Sequence, residues 1–426
     1  MHELLETSNL KGRCCGVFNS PFPRFVSLLA WIFISACCIH AAEPLAQDHV
    51  VVWHNDDPEY YVEGPGLVRL DDGALIAAVP VVPREQWSEE RRAEHSVTHI
   101  LRSDDGGKTW QHLADLPYYS AAPWVDRGKL YLFTNKAGLG KKRNADLLLL
   151  RSDDRGKTWS APVTLFTGYY WNCHTGMVQN KDRIYWATDD MSFGMRRGPR
   201  LVAGDLTGDP MNPKAWRISE PVTFPGAPVG TYDPKFASQP DQFLEANVIE
   251  VQGRLRLLAA TKIKRPTVAG LCTVFDATDD GTKLDLKFTQ FSAMPGGQLK
   301  FCVIRDEPSQ LFWATANLAV DSQDIFGWQA DALKQGHLKA SANDRRFLML
   351  QYSLDGLNWF PAGCIAQAAK ISQSFMYARP VVDGDDLAII ARSSINAPNQ
   401  HDADTATFHR VRDFRKLALK LVPDKE

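Results

Sequence analysis

Apolar residues in this chain come in short runs broken by glycines and acidic pairs, a spacing that predicts strands joined by tight turns. Gly66-Leu67-Val68-Arg69-Leu70-Asp71-Asp72-Gly73-Ala74-Leu75-Ile76-Ala77 shows the design, an apolar stretch on each side of an Asp-Asp-Gly turn. Residues 247–258 turn in the same way at Gly253, residues 380–390 turn at Asp383-Gly384, and 183–187 reads as one further strand. Periodicity of 3.6 is scarce, so 85–94 and 331–339 are read as short helices or polar loops. The amino terminus differs. Lys11, Arg13 and Arg24 precede the apolar run 25–42, an order that predicts a secretory signal peptide over 1–42. Ile34-Ser35-Ala36-Cys37 has the form of a lipobox, which would leave Cys37 acylated and tether the protein to a membrane. Cleavage near Ala42 would release it instead, and an uncleaved anchor is a third option because 18 apolar residues just span a bilayer. The expectation is export to the periplasm, cell surface or medium.

A repeat organises the remainder. Ser103-x-Asp105-x-Gly107-x-Thr109-Trp110 recurs as Ser152-x-Asp154-x-Gly156-x-Thr158-Trp159, 49 residues on, and in a shorter form as Ser353-Leu354-Asp355-Gly356-Leu357-Asn358-Trp359, a further 201 residues on. The second interval is close to four times the first, so the copies fall in phase with a unit of roughly fifty residues. Asp and Gly supply a turn, the carboxylate accepts backbone N–H groups inside it, and the Trp ring packs beneath the adjoining strand. Residues 43–426 at about 50–65 per unit make six or seven antiparallel units, which stack radially as a β-propeller.

Composition narrows the function. The chain of 426 residues is 44% hydrophobic and carries Lys+Arg 48 against Asp+Glu 50, a net charge of −2 that falls to −3 without 1–42. No basic excess is present to hold a phosphate backbone, so nucleic acid is disfavoured as a partner. The 12 Trp offer the flat faces that sugars stack on. Cys173, Cys272, Cys302 and Cys364 form no CxxC pair, which leaves two readings: up to two disulfides, or four buried thiols.

The repeated Ser-x-Asp-x-Gly-x-Thr-Trp turns resemble the Asp boxes of the sialidase (neuraminidase) superfamily, whose members are six-bladed all-β propellers. Glu245-Ala246-Asn247-Val248-Ile249-Glu250 resembles that family's Glu-Pro-x-Val-Val-Glu strand, and the run from Tyr377-Ala378-Arg379-Pro380 to Arg412-Asp413-Phe414-Arg415 is similar to the closing blade of secreted bacterial sialidase-like proteins. The resemblance implies an enzyme with a tyrosine nucleophile activated by a glutamate, placing Tyr377 and Glu245 in those roles. It also implies three arginines for a substrate carboxylate. Glu63 stands where the first belongs, and Ala260, Thr261 and Lys262 stand where the second belongs. Sialic acid is therefore disfavoured, and a neutral or differently charged terminal sugar is favoured.

Glycoside cleavage needs an acid at the leaving oxygen and a nucleophile or base opposite. The catalytic candidates are Glu245, Tyr377, Glu63 and His174; the substrate-binding candidates are Arg392, Arg379, Lys300 and His401. Arg392 ends an apolar strand, where a buried charge requires an anionic partner, either substrate or Glu245. Glu89, Glu90, Glu94 and His95 occupy the loop where the family carries an aspartate. His401-Asp402-x-Asp404 reads as a polar loop rather than a cation site, and no metal or cofactor is expected. The leading expectation is an exported glycoside hydrolase. A non-catalytic carbohydrate-binding propeller and a propeller polysaccharide lyase are the alternatives, and oligomeric state is left open.

Overall fold

The computed structural model describes residues 43–84, 94–136, 145–224, 226, 242–262, 270–320 and 344–419. The expected leader, its Cys37, the carboxylates Glu89 and Glu90 and the stretch 331–339 lie outside them. No helix among the described residues is long and apolar enough to cross a membrane.

The strands form six antiparallel sheets, four of four strands and two of five, five of them built from neighbours in the chain. This is the expected six-bladed propeller. The innermost strands are Tyr60–Val62 with Gly66–Arg69 in blade 1, Ala122–Asp126 in blade 2, and Tyr170–Trp171 with Val178–Gln179 in blade 3. Gln242–Val251, Cys302–Asp306 and Ser374–Asp383 take that place in blades 4, 5 and 6. Closure comes from the start of the domain, where Val50–His54 pairs antiparallel with Thr405–Val411 as the outer strand of blade 6. A ring closed this way exposes no long inner edge.

Burial explains why the runs are short and the middles so apolar. Leu75–Pro83, the second strand of blade 1, is buried along its whole length, whereas the outer strand Leu284–Ala293 alternates. Middle strands are covered on both faces by the adjacent blades and outer strands on one. Six apolar clusters fill the wedges between neighbouring blades. Between blades 2 and 3, for example, Phe133 stacks on Trp186 with centroids 4.7 Å apart. Each such side chain withdrawn from water contributes ~1.5–3 kcal/mol.

The three repeated turns occupy the same place, between the third and fourth strands of blades 1, 2 and 5. In the first, the Asp105 carboxylate accepts the Ser103 hydroxyl at 2.8 Å, the Lys108 and Thr109 amides at 3.0 Å and the Thr109 hydroxyl at 2.6 Å. Asp154 repeats the set on Ser152 and Thr158, and these donors hold its carboxyl down at about 2. Asp355 does the same with Asn358 in place of Thr. Gly107 lies at φ +90° with its α-carbon face against the Phe408 ring of blade 6, leaving no space for a side chain. The turns thus seal each of these blades to the one before it. The spacing needs a correction: the interval of 201 residues spans three blades, not four. Longer connections in blades 3 to 5 stretch the repeat beyond fifty residues.

The four cysteines of the described residues are free thiols, three of them buried, which decides between the two readings of their spacing.

Candidate active site on the propeller axis

The innermost strands of two blades carry the same interruption. In blade 4 the ladder with Arg254–Lys262 skips between Leu244 and Asn247, and in blade 6 the ladder with Asp386–Ser394 skips between Met376 and Arg379. The first unpaired residue of each bulge is Glu245 at φ 54° and Tyr377 at φ 51°, both mid-strand in the left-handed region. A bulky residue in that conformation costs about 1–3 kcal/mol and persists only where its surroundings enforce it. Bulges re-aim a side chain. Here the two meet: the Tyr377 hydroxyl donates to Glu245 Oε1 at 2.9 Å, with the residues only 9% and 2% exposed.

Burial, reinforced by the Glu245 carboxylate, pushes the Tyr377 phenol well above its ordinary range. The phenol therefore keeps its proton at rest, directed at the base that would take it. Cations surround the ring: Lys300 Nζ lies 5.6 Å, Arg392 5.2 Å and Arg345 6.0 Å from its centroid. They stabilise any phenolate that forms. Gly64 lets the ring in close, because a Cβ there would stand 3.0 Å from Tyr377 Cδ1 and 3.1 Å from Cys173 Cβ.

Arg392 is fully buried and finds its anion in Glu63, Nη1 to Oε1 at 2.7 Å. Burial works against its charge, but Glu63, Tyr61 and Tyr377 outweigh that effect and its pKa is raised. The partner is thus Glu63, rather than substrate or Glu245. The guanidinium also lies over the Tyr61 ring at 5.0 Å and donates through Nη2 to the His401 carbonyl. The His401 ring pairs with Asp402 at 2.8 Å, while Asp404 accepts the Ile395 and Asn396 amides, so the His-Asp-x-Asp run shapes the loop that holds Arg392.

Behind Glu245 stands Asp189, the next-to-last residue of Arg183–Asp190 in blade 3. Its carboxylate accepts the Glu245 amide at 3.1 Å and the Arg197 guanidinium at 3.0 Å. Burial raises the Asp189 carboxyl to about 6 against the pull of Arg197 and that amide. Arg197 in turn lies over Trp171 at 4.7 Å. Asp189 thereby grips the strained backbone of Glu245.

His174 and Arg379 do not join this set. They line a cavity of about 850 Å³ on the axis, shared by residues from the innermost strands of all six blades. Arg379 follows the blade 6 bulge, past which the strand resumes its alternation toward the other mouth. Lys300 is the link between the two ends: its charge acts on both Cys173 and His174.

Of the sequence candidates, Glu245, Tyr377, Glu63, Arg392 and Lys300 converge, with His401 joining through its carbonyl. Asp189, Arg197, Arg345 and Tyr61 were missed. The Asp189-Asp190 pair reads as a turn signal, and nothing in the pattern shows that a strand of blade 3 ends behind a bulge of blade 4. Elsewhere, His99, His112 and Asp115 bring one ligand atom each within 4.8 Å of one another on blade 1 and could hold a divalent ion. In the present arrangement Asp115 accepts from both rings, at 2.7 and 2.6 Å.

No family model and no curated protein matches the chain. Solved structures do. A Dyadobacter fermentans protein of unknown function aligns with TM-score 0.56 and 15% identity over 87% of this chain and 100% of its own. The Penicillium chrysogenum alpha-L-arabinanase, complexed with arabinobiose, aligns with TM-score 0.54 and 14% identity over 88% of this chain and 99% of its own. The Trypanosoma rangeli sialidase, in complex with sialic acid, gives 0.55 and 15% over 84% of this chain and 55% of its own. At these identities the likeness is one of fold: this chain is a six-bladed β-propeller of the architecture found in sialidases and α-L-arabinanases.

Proposed function

We propose that the protein is an exported glycoside hydrolase that removes a terminal sugar from an extracellular glycan, with Tyr377 as nucleophile and Glu245 as its base. The observation that carries this reading is the buried hydrogen bond of 2.9 Å between two side chains presented by matching bulges. A structural tyrosine needs neither a strained backbone nor a carboxylate as its acceptor. In the reaction Tyr377 Oη attacks the anomeric carbon as its proton passes to Glu245, the glycosidic C–O bond breaks, and the departing oxygen takes a proton from solvent water. A second water then attacks the anomeric carbon of the aryl glycoside and gives up a proton to the hydroxide left in solvent, the bond to Tyr377 Oη breaks, and the phenolate takes its proton back from Glu245. Lys300, Arg345 and Arg392 lower the energy of the phenolate that forms as the intermediate breaks down. The sialidase and the arabinanase named above act on sugars at an equivalent fold, which is consistent with this assignment.

The ion pair of Arg392 with Glu63 supports a neutral sugar over sialic acid. A guanidinium already neutralised at 2.7 Å offers little to a substrate carboxylate, and Glu63 repels one. The test is a panel of 4-methylumbelliferyl glycosides that includes the sialoside and the α-L-arabinofuranoside, run on wild type, Tyr377→Phe and Glu245→Gln. Turnover of a neutral glycoside, lost in both variants, is expected. Preferred turnover of the sialoside would refute the neutral-sugar assignment, and an active Tyr377→Phe would refute the nucleophile.

A further inference from the structure

The axial cavity that holds His174 and Arg379 has the composition of a ligand site in its own right. His174 is 1% exposed, and its Nδ1 accepts the Leu67 amide at 3.2 Å. A ring nitrogen that accepts cannot carry the hydrogen, so in the neutral ring the hydrogen sits on Nε2. Burial, with Arg379 and Lys300 nearby, lowers the His174 pKa well below its ordinary value and keeps the ring neutral. Nε2–H is therefore a donor, and it has no partner among the described residues. Leaving such a group buried and unsatisfied costs about 1–3 kcal/mol.

Arg379 repeats the pattern with a charge. Its Nη1 reaches only the Thr175 carbonyl at 3.4 Å and Cys302 Sγ at 3.1 Å, and its Nε is buried without a partner. No carboxylate among the described residues pairs with it. The other charged residues of the lining differ: Arg69 is held by Asp383 at 2.7 Å and Arg305 by Glu307 at 3.3 Å. Glu250 lines the wall five residues beyond the blade 4 bulge, whereas Arg379 lies two beyond the equivalent bulge of blade 6. At ~3.3 Å per residue that puts Glu250 about 10 Å farther toward the mouth. Among the described residues that line the cavity, Arg379 is thus the guanidinium without a carboxylate, whereas Arg69 and Arg305 are paired.

We propose that this cavity is a second ligand site, separate from the Tyr377–Glu245 pair, for a small molecule bearing an oxyanion. The anionic group would pair with the Arg379 guanidinium beside His174, and the volume of about 850 Å³ admits an acidic monosaccharide or disaccharide. Inorganic sulfate shares the oxyanion, and the two sources are separable by what surrounds it. The proposal does not depend on the hydrolase reading.

Calorimetric titration of the full chain with glucuronate, sulfate and glucose provides the test, alongside the 15N resonance of His174 Nε2 in histidine-labelled protein. Glucuronate should bind and shift that resonance, and glucose should do neither. Tighter binding of glucuronate than of sulfate indicates an acidic sugar as the ligand; equal binding indicates a site for the oxyanion alone. Arg379→Gln should weaken binding at least tenfold, Arg379→Lys should restore part of it, and Tyr377→Phe should leave it unchanged. If Arg379→Gln fails to fold, the His174 shift on the wild-type protein still decides. Failure of glucuronate and sulfate to move the His174 resonance, or binding that Tyr377→Phe abolishes, would overturn the proposal.

Discussion

The two ends of the propeller axis are built from the same six blades but handle charge in different ways. At the Tyr377 end, Arg392 pairs with Glu63, Arg197 pairs with Asp189 and the phenol donates to Glu245, and only Arg392 Nε among these groups has no acceptor among the described residues. At the His174 end, Arg379 has no carboxylate partner, and its Nε and the His174 Nε2 are buried without an acceptor, all among the described residues. An internally balanced set can keep a proton poised between two side chains without calling for an ionic ligand. An unbalanced set can lower its energy only by taking one up. The difference teaches that the axis holds one place suited to bond making and another suited to recognition.

The widest separation between the two ends should come from removing the nucleophile. Tyr377→Phe is expected to cut kcat for the best glycoside by about a thousandfold or more, since it deletes the attacking atom and not merely a contact. Steady-state kinetics checks this; a loss below tenfold would dissolve the distinction between the ends.

Next in size is the balance itself. Arg392→Met leaves Glu63 buried and unanswered, and the expected destabilisation is about 3–5 kcal/mol. Adding Glu63→Gln should return most of it, as read from denaturant unfolding midpoints. If the double variant is no better than the single, the pair is not what stabilises that end.

The Asp189 carboxyl gives a pH signature. Its folded value is raised, so the folded state holds the proton more tightly than the unfolded chain does. Its contribution to stability is complete below the unfolded value of 3.8 and declines as pH rises through about 6. The decline amounts to about 3 kcal/mol. Asp189→Asn should flatten the stability curve between those limits, whereas an unchanged slope would assign the titration to another group. The smallest effect belongs to the rim: Asp154→Ala removes the acceptor of an exposed turn and should cost about 1 kcal/mol, with no change in kcat. A change in kcat would tie the Asp boxes to the chemistry at the axis.

The architecture was readable because it is local. Alternation, Gly-containing turns and three in-phase Trp turns are properties of neighbouring residues, and a propeller is assembled from neighbours. Closure was not readable, because Val50–His54 joins Thr405–Val411 across nearly the whole chain. The site divides in the same manner. Glu245 and Tyr377 were found through short motifs that the sialidase-like proteins share, but the bulges that turn them together leave no mark in hydrophobic pattern. Glu63 was placed at the site yet read as an acid, since only the fold shows Arg392 against it. His174 was read as lining the central cavity and Arg379 as a ligand for a carboxylate, and the cavity they line lies apart from the Tyr377–Glu245 pair. Their depth along a strand depends on the register of six blades at once.

The most direct test of the account is to trap the intermediate. The protein would be incubated with the 2-fluoro glycosyl fluoride of the sugar it turns over, digested, and mapped by mass spectrometry. The account predicts a single glycosyl adduct on the peptide bearing Tyr377, absent from Tyr377→Phe. An adduct on Glu245, or turnover with inversion at the anomeric carbon and no adduct, would contradict it.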